Sequence, residues 1–511
     1  MMSAGVRKIL RANGFVLSAV LPLAGCSDRG VASEHAPLVA QVSAADDDAC
    51  DAPDGDISSS SRSLFEAETR VARAPDGSMV AVWVSDPEAP DTGGFQSIGY
   101  RVYRPHCEGE GRSGWGPVQL LAGPASFYNS DPSVAADDDG NFYIAFIDAE
   151  GPLVIPPTTY PSYPEDQLRV YASRLRRNAK SADAPVLVSR TDYSFNDKPW
   201  ITVTPRGALV VSYYDSDIDT GRAIVARSTD QGATWTHAVM DPSVAAFLPQ
   251  VCVGAHSKRI YATDVFLGEF GDDANAHREF APIVHRRLTE RLRARLASRH
   301  GRQTARPAAP ITPGPSGDPS VPAIHLHWSD DDGVTWNESG FNQWPGDANL
   351  GFSIPTCAAF GKDVWLAQSV ATTLDFPPLA QKVTVSHFTN SGATFVADAT
   401  PVLDGAHFFD QPLVVADGEG RVNVLTQTAL GYFNGTTGGR FVRARSVDRG
   451  VTFGAADVLA SNIWNGGRRH GIGWLGDYVG ADPRRDGSLD VTFVAPGLKE
   501  PSHVIYAHLP R

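Results

Sequence analysis

The residues of this 511-residue chain best suited to chemistry fall at one recurring place, the start of paired apolar segments. These starts hold Glu66 and Glu68, Asp131, Asp197 with Lys198, Gln250, Asp410 with Gln411, and Asp477 with Tyr478. Brought together, they make an acidic, hydrogen-bonding set. With backbone carbonyls they can also hold a hard cation such as Ca²⁺. The same residue types cap turns at strand starts, so a structural reading stands beside the chemical one. Other chemistries are set aside. The sequence has no G-x-S-x-G elbow, P-loop or H-E-x-x-H, and its 14 His form no cluster with ligand spacing. Oxidoreductase, kinase and zinc-protease readings fall with these motifs. The balance of 44 Lys and Arg against 58 Asp and Glu argues against a nucleic-acid partner.

What must position these groups is a repeat. A polar start, an apolar strand, a turn with Gly and a second apolar strand recur as EAETRVARAPDGSMVAVWV (66–84), DPSVAADDDGNFYIAFI (131–147) and DKPWITVTPRGALVVSYY (197–214). The unit returns as PQVCVGAHSKRIYATDV (249–265), PTCAAFGKDVWLAQSV (355–370), DQPLVVADGEGRVNVL (410–425) and DYVGADPRRDGSLDVTFV (477–494). Short β-branched or aromatic runs bounded by turn residues predict hairpins. Forty-two per cent hydrophobic residues supply a large core, while 48 Gly and 37 Pro suit an architecture with many turns (42%).

A second unit follows four of these pairs. Ser228, Asp230, Gly232, Thr234 and Trp235 spell S-x-D-x-G-x-T-W. Ser329, Asp331, Gly333, Thr335 and Trp336 repeat it, and Ser446, Asp448, Gly450, Thr452 and Phe453 do so with Phe for Trp. A decayed copy runs from Phe388 to Phe395, and the copies at Gly333, Gly392 and Gly450 recur with a period of about sixty residues, while Gly232 to Gly333 is longer. The expected physics is a tight turn in which Asp caps amides, Gly takes a positive φ and the aromatic packs below.

These units resemble the Asp-box (BNR) repeats of the sialidase-like β-propeller superfamily, over residues 63–511. The resemblance implies an all-β ring of four-stranded antiparallel blades, with each Asp box joining the third and fourth strands away from the active face. The first strand of each blade then lines the central channel, and the starts named above face one mouth. The repeats count to seven blades, a departure from the six of the family's enzymes. A six-bladed ring with one repeat outside it is the alternative. Only three strand candidates follow Asp477, so a segment near Ser61–Leu64 is expected to complete the last blade and remove a sheet edge.

The resemblance also implies an activity, removal of terminal acidic sugars from glycans. The family uses a Tyr nucleophile helped by Glu, an Asp acid/base and three Arg gripping the substrate carboxylate; planar guanidinium forks suit that task. On this pattern Tyr478, in WLGDYVG, matches the nucleophile, with Glu68 or Glu66 as its partner and Asp131 as acid/base. Arg70, in ETRVARAPDG, resembles the Arg-Ile-Pro strand, with Val71-Ala72 in place of Ile-Pro. Arg469, beside Arg468 and His470, together with Asp197, Asp410, Gln411 and Asp477, completes the expected substrate-binding set. Arg222 and Arg440 are available as the third arginine without a motif that places them. The reading from a different class is a non-catalytic propeller serving as a binding or scaffolding module.

The remaining segments are an address, a tether and an insertion. Arg7, Lys8 and Arg11 precede a short apolar run, and Leu23-Ala24-Gly25-Cys26 resembles a bacterial lipobox. Residues 1–25 are therefore expected to be a lipoprotein signal peptide, Cys26 the lipidated residue, and 26–62 a flexible tether, giving an exported, membrane-anchored monomer of the cell envelope. Cys252 and Cys357 each follow a Pro closely in equivalent places of consecutive repeats, which predicts their disulfide, and elimination pairs Cys50 with Cys107. Residues 267–322 break the repeat with an Arg-rich amphipathic stretch, expected to be a helix lying on the propeller or facing a membrane or partner, followed by a Pro-rich linker.

Overall fold

The computed structural model describes residues 52–58, 65–86, 97–105, 114–125, 128–149, 168–190, 195–216, 221–241, 246–254, 256–266, 323–343, 354–371, 381–401, 412–428, 440–461, 479–496 and 502–511. All of them lie in the unit Ala36–Arg511. They form seven antiparallel sheets of four strands, the first sheet with one further short strand. The seven first strands are Phe65–Arg73, Tyr128–Ala136, Phe195–Val203, Ala246–Val253, Thr356–Phe360, Leu413–Ala416 and Gly480–Pro483. Each lies against the next and the last against the first, closing a seven-bladed β-propeller. There is no helix among the described residues. The Arg-rich stretch and Pro-rich linker of 267–322 lie outside them.

A blade inside a ring has neighbours on both faces, so its strands carry nearly continuous apolar runs. Phe142–Ala149 (FYIAFIDA) is buried at every position. An apolar cluster fills each junction between blades. Val80, Val82 and Tyr100 of blade 1 meet Val134, Phe142 and Ile144 of blade 2. Phe441 of blade 6 stacks on Phe493 of blade 7 with centroids 4.5 Å apart. Burial of this apolar surface is the main favourable term holding blade to blade.

The S-x-D-x-G-x-T-aromatic segments form the turns between third and fourth strands. In blade 6, Asp448 Oδ1 accepts from Ser446 Oγ at 2.7 Å and from Thr452 N at 2.8 Å, while Gly450 N donates to Ser446 Oγ at 2.7 Å. Blades 3 and 4 repeat the arrangement about Asp230 and Asp331. Gly450 has φ 81°, a left-handed conformation that favours glycine. Hydrogen bonds from Thr452 and Ser446 hold the Asp448 carboxyl down at about 2.

The ring closes by a mixed blade. Gly55–Asp56 pairs with Ser502–Leu509 and supplies the outer strand of blade 7. The closing strand thus precedes the expected Ser61–Leu64, and residues 52–58 belong to the ring, not to the tether expected over 26–62. Ile57 and Ala52 are buried, Ile57 N donates to Val504 O at 2.9 Å, and His508 N donates to Asp54 Oδ1 at 2.7 Å. Two paired residues carry no readable alternation, which is why the sequence pattern places the strand too late.

Blade 1 is also clamped to blade 7 directly. Arg73 Nε donates to Asp490 Oδ2 at 2.6 Å and Arg73 N to Asp482 Oδ2 at 2.6 Å. Arg484 Nη2 and the Tyr506 hydroxyl donate to Asp490 Oδ1 at 2.7 and 2.6 Å. Burial opposes ionisation of Asp490, yet the His508 ring 3.7 Å away and hydrogen bonds from Arg484 and Arg73 hold its carboxyl far below the usual range. Asp482 behaves oppositely: although its residue is only half-buried, its carboxyl is enclosed, and burial with the neighbouring Asp490 charge pushes it up to about 7. Gly480 lets the backbones meet, since a Cβ there would stand 2.7 Å from Arg70 Cα and 2.8 Å from Val71 N. Farther round, a disulfide joins Cys252 of blade 4 to Cys357 of blade 5, with Cα atoms 5.8 Å apart. Cys50 and Cys107 lie outside the described residues, as does Cys26.

Three outcomes follow from these contacts. Between about pH 4 and pH 7 the folded chain keeps a proton on Asp482 that the unfolded chain releases, so stability falls as pH rises through that window. Asp482→Asn keeps the acceptor for Arg73 N, and thermal unfolding is expected to show it more stable than the parent at pH 8, with the gap closing toward pH 4. Opening the Cys252–Cys357 link by Cys252→Ser with Cys357→Ser, which frees a sequence separation of 105, is expected to cost about 2–4 kcal/mol in denaturant titration. Gly480→Val is expected to abolish ring closure, read as protease sensitivity of blade 7 under conditions where the parent resists.

Candidate functional site

The mouth is organised by a backbone irregularity in the first strands. Register shifts fall between Ala67 and Arg70, Ser130 and Ser133, Asp197 and Trp200, and Phe247 and Gln250. At each bulge a residue other than glycine takes a positive φ: Glu68 at 50°, Asp131 at 53°, Lys198 at 51° and Leu248 at 51°. The following residue is Pro132, Pro199 or Pro249 in three of the four. Proline brings no N–H to the ladder, so it fits where pairing lapses. Left-handed conformation in such residues costs on the order of 1–3 kcal/mol each and persists only where surrounding contacts hold it.

In blades 1 to 3 the bulge side chains meet. Lys198 Nζ stands 2.6 Å from Asp131 Oδ1 and 3.6 Å from Glu68 Oε1. Glu68 Oε2 accepts from Ser130 Oγ at 3.2 Å and from Asp131 N at 3.1 Å. Glu68 is 1% exposed and Asp131 5%, while the Lys198 side chain keeps 16%. The result is a carboxylate pair held by one ammonium, which occupies the place a hard cation would take between them. Asp197 accepts from Lys198 N at 2.8 Å, a turn-capping contact within the same bulge.

Two other expected residues also make contacts within the ring. Arg70 is buried, donates to Val479 O across the closure, and lays its guanidinium 3.5 Å from the Trp200 ring centroid. Arg70 and Trp200 come from blades 1 and 3, so this cation–π contact bridges non-adjacent blades. Glu66 is buried and its Oε2 accepts from Val504 N at 3.1 Å, tying blade 1 to blade 7. Tyr478, Asp477, Arg469, Asp410 and Gln411 lie outside the described residues. The structure therefore brings together Glu68 and Asp131 of the expected set and adds Lys198 as the group joining them. It holds Arg70 against Trp200 and backbone.

A second constellation was not expected from the sequence. Asp241, Asp264, His325 and His327 place one donor atom each within 4.8 Å of one another, all buried, between blades 3 and 4. The 14 His do contain a ligand-spaced group, correcting the sequence reading: His325-Leu326-His327 on a strand puts both rings on one face, and the partners come from other strands. Burial pushes the Asp264 carboxyl up. Burial works against a charged His327, but the Asp264 carboxylate overrides it and the net direction is upward.

No protein-family model matches the sequence, and no curated protein matches it. Among solved structures the chain is similar to the Hadza microbial sialidase Hz136, at 13% identity and TM-score 0.42, covering 72% of this chain and 65% of that one. It is similar to a protein of unknown function from Dyadobacter fermentans DSM 18053, at 15% identity and TM-score 0.47, covering 76% of this chain and 96% of that one. It is also similar to Trypanosoma rangeli sialidase in complex with the inhibitor DANA, at 11% identity and TM-score 0.43, covering 76% of this chain and 56% of that one. The chain thus spans less than two thirds of the length of both sialidases.

Removing Lys198 leaves two buried carboxylates facing one another. Lys198→Ala is expected to lose roughly 3 kcal/mol in denaturant titration, and Glu68→Gln in the same chain to restore a large part of it. A loss that Glu68→Gln leaves untouched would mean that Lys198 contributes packing and not charge.

Proposed function

We propose that this chain is a sialidase-like glycoside hydrolase acting on terminal acidic sugars of glycans, with its chemistry at the bulge mouth. The observation supporting the reading is the Glu68–Asp131 carboxylate pair on adjacent first strands, joined by Lys198. Paired carboxylates are the working parts of most glycoside hydrolysis, and sialidases depart from that pattern by using Tyr as the nucleophile. In this reading Asp131 is the acid/base, Glu68 assists Tyr478 as nucleophile, and Lys198 tunes the pair. Arg70 acts through the ring by holding Trp200 and Val479. The S-x-D-x-G-x-T-aromatic turns are Asp boxes, in keeping with the family. Cys26 carries the lipid, so that the propeller works from the surface of a cell-envelope membrane as an exported monomer.

One observation favours a second reading, a non-catalytic glycan-binding propeller. Arg70 contacts Trp200 and the Val479 carbonyl, and Asp131 is paired to an ammonium at 2.6 Å. Both groups then serve architecture.

Hydrolysis of fluorogenic sialosides and other acidic glycosides separates the two. Turnover is expected from the parent chain, with Asp131→Asn and Tyr478→Phe each losing ~10²-fold or more in kcat. No turnover across the panel, with retained binding to immobilised acidic glycans, would replace the hydrolase by the binding module.

A further inference from the structure

We propose that Asp241, Asp264, His325 and His327 form a structural site for a divalent transition metal, of which Zn²⁺ suits the donors best. Asp241 ends the fourth strand of blade 3, Thr236–Asp241, and Asp264 lies near the end of the second strand of blade 4, Ile260–Phe266. His325 and His327 stand on the third strand, Ala323–Ser329, with His325 in register opposite Asp264. Residues two apart on a strand share a face, and register partners share it too. Asp264 and both rings therefore project from one face of blade 4 toward blade 3, where Asp241 meets them.

Four of the separations between imidazole nitrogens and carboxylate oxygens bracket those of a coordination shell. His325 Nδ1 lies 3.0 Å from Asp241 Oδ2 and 3.5 Å from Asp264 Oδ1. His327 Nε2 lies 3.1 Å from Asp264 Oδ2 and 3.9 Å from Asp241 Oδ2. Tetrahedral zinc with bonds of about 2.0–2.1 Å holds its donor atoms about 3.3–3.4 Å apart, in the middle of this range. Two imidazoles with two carboxylates suit zinc, and the imidazoles disfavour Ca²⁺ or Mg²⁺, which take oxygen shells.

Charge points the same way. The side chains are 6% exposed or less, in a junction otherwise built from Val225, Met240, Ile260 and Ala262. An ion would displace any proton from the two rings, and the two buried carboxylates then carry a charge that a dication cancels. Four enclosed protein donors leave no position for substrate, so the ion would hold structure and take no part in turnover. Its place gives that role a purpose. Asp264 and His325 lie just before and just after 267–322, so the ion would pin the strands bracketing the insertion to the neighbouring blade.

The test is metal analysis of the full chain, purified without a metal-affinity tag, by inductively coupled plasma mass spectrometry. About one equivalent of zinc is expected, lost on chelation with a fall in the unfolding temperature and regained with Zn²⁺. Co²⁺ added to the chelated chain is expected to give the visible bands of a tetrahedral site. His327→Asn is expected to lose the metal and His327→Cys, which retains a zinc ligand, to keep it. If the parent chain holds no metal, binds neither Zn²⁺ nor Co²⁺ after chelation, and unfolds at the same temperature throughout, the cluster is a pair of His–Asp ion pairs and the proposal fails. That result would leave the hydrolase reading untouched.

Discussion

Closure of blade 1 against blade 7 is the constraint on which the rest of the molecule depends. A ring of sheets gains its apolar burial only if every junction forms, and the last must be made by segments far apart in sequence. The chain makes it through the Gly55–Asp56 strand on blade 7, the Arg73 bonds to Asp482 and Asp490, the Arg70 bond to Val479, the Glu66 bond from Val504 and the apolar cluster between the two blades. The closure also sets the distance between first strands, and thereby the width of the mouth. Arg70 belongs to both tasks, since the guanidinium that bonds Val479 O also covers Trp200.

The mouth follows from that geometry. The bulges hold Glu68, Asp131 and Lys198 in a left-handed conformation, and the ion pairs among their side chains counter the strain. Fold alone already calls for Lys198, since its ammonium stands between two buried like charges. Among the described strand starts, Glu68 and Asp131 come together with the Lys198 ammonium between them.

Much of the fold was legible in the residues, because a propeller repeats its signal. Seven hairpin units gave seven blades, the S-x-D-x-G-x-T-aromatic segments gave the outer turns, and equivalent positions in consecutive repeats paired Cys252 with Cys357. The strand starts also pointed to Glu68 and Asp131. What was not legible arises from contacts between distant segments. Nothing in Lys198-Pro199 or Leu248-Pro249 announces a positive φ, and nothing in Arg70 announces Trp200 two blades away. The pair at Gly55–Asp56 is too short to alternate. Of the four donors, only His325 and His327 share a strand and a local spacing; Asp241 and Asp264 come from two other strands, so the sequence shows half of the group at most.

The bulge has a consequence for how such a ring changes over time. The four described bulges share one backbone shape, yet the residue at their apex is an acid twice, a base once and an aliphatic once, Glu68, Asp131, Lys198 and Leu248. The scaffold thus behaves like a type case with fixed slots, into which letters of any sort can be set. Neighbouring slots spell a local electrostatic word, and duplication or drift of single letters rewrites it without resetting the page.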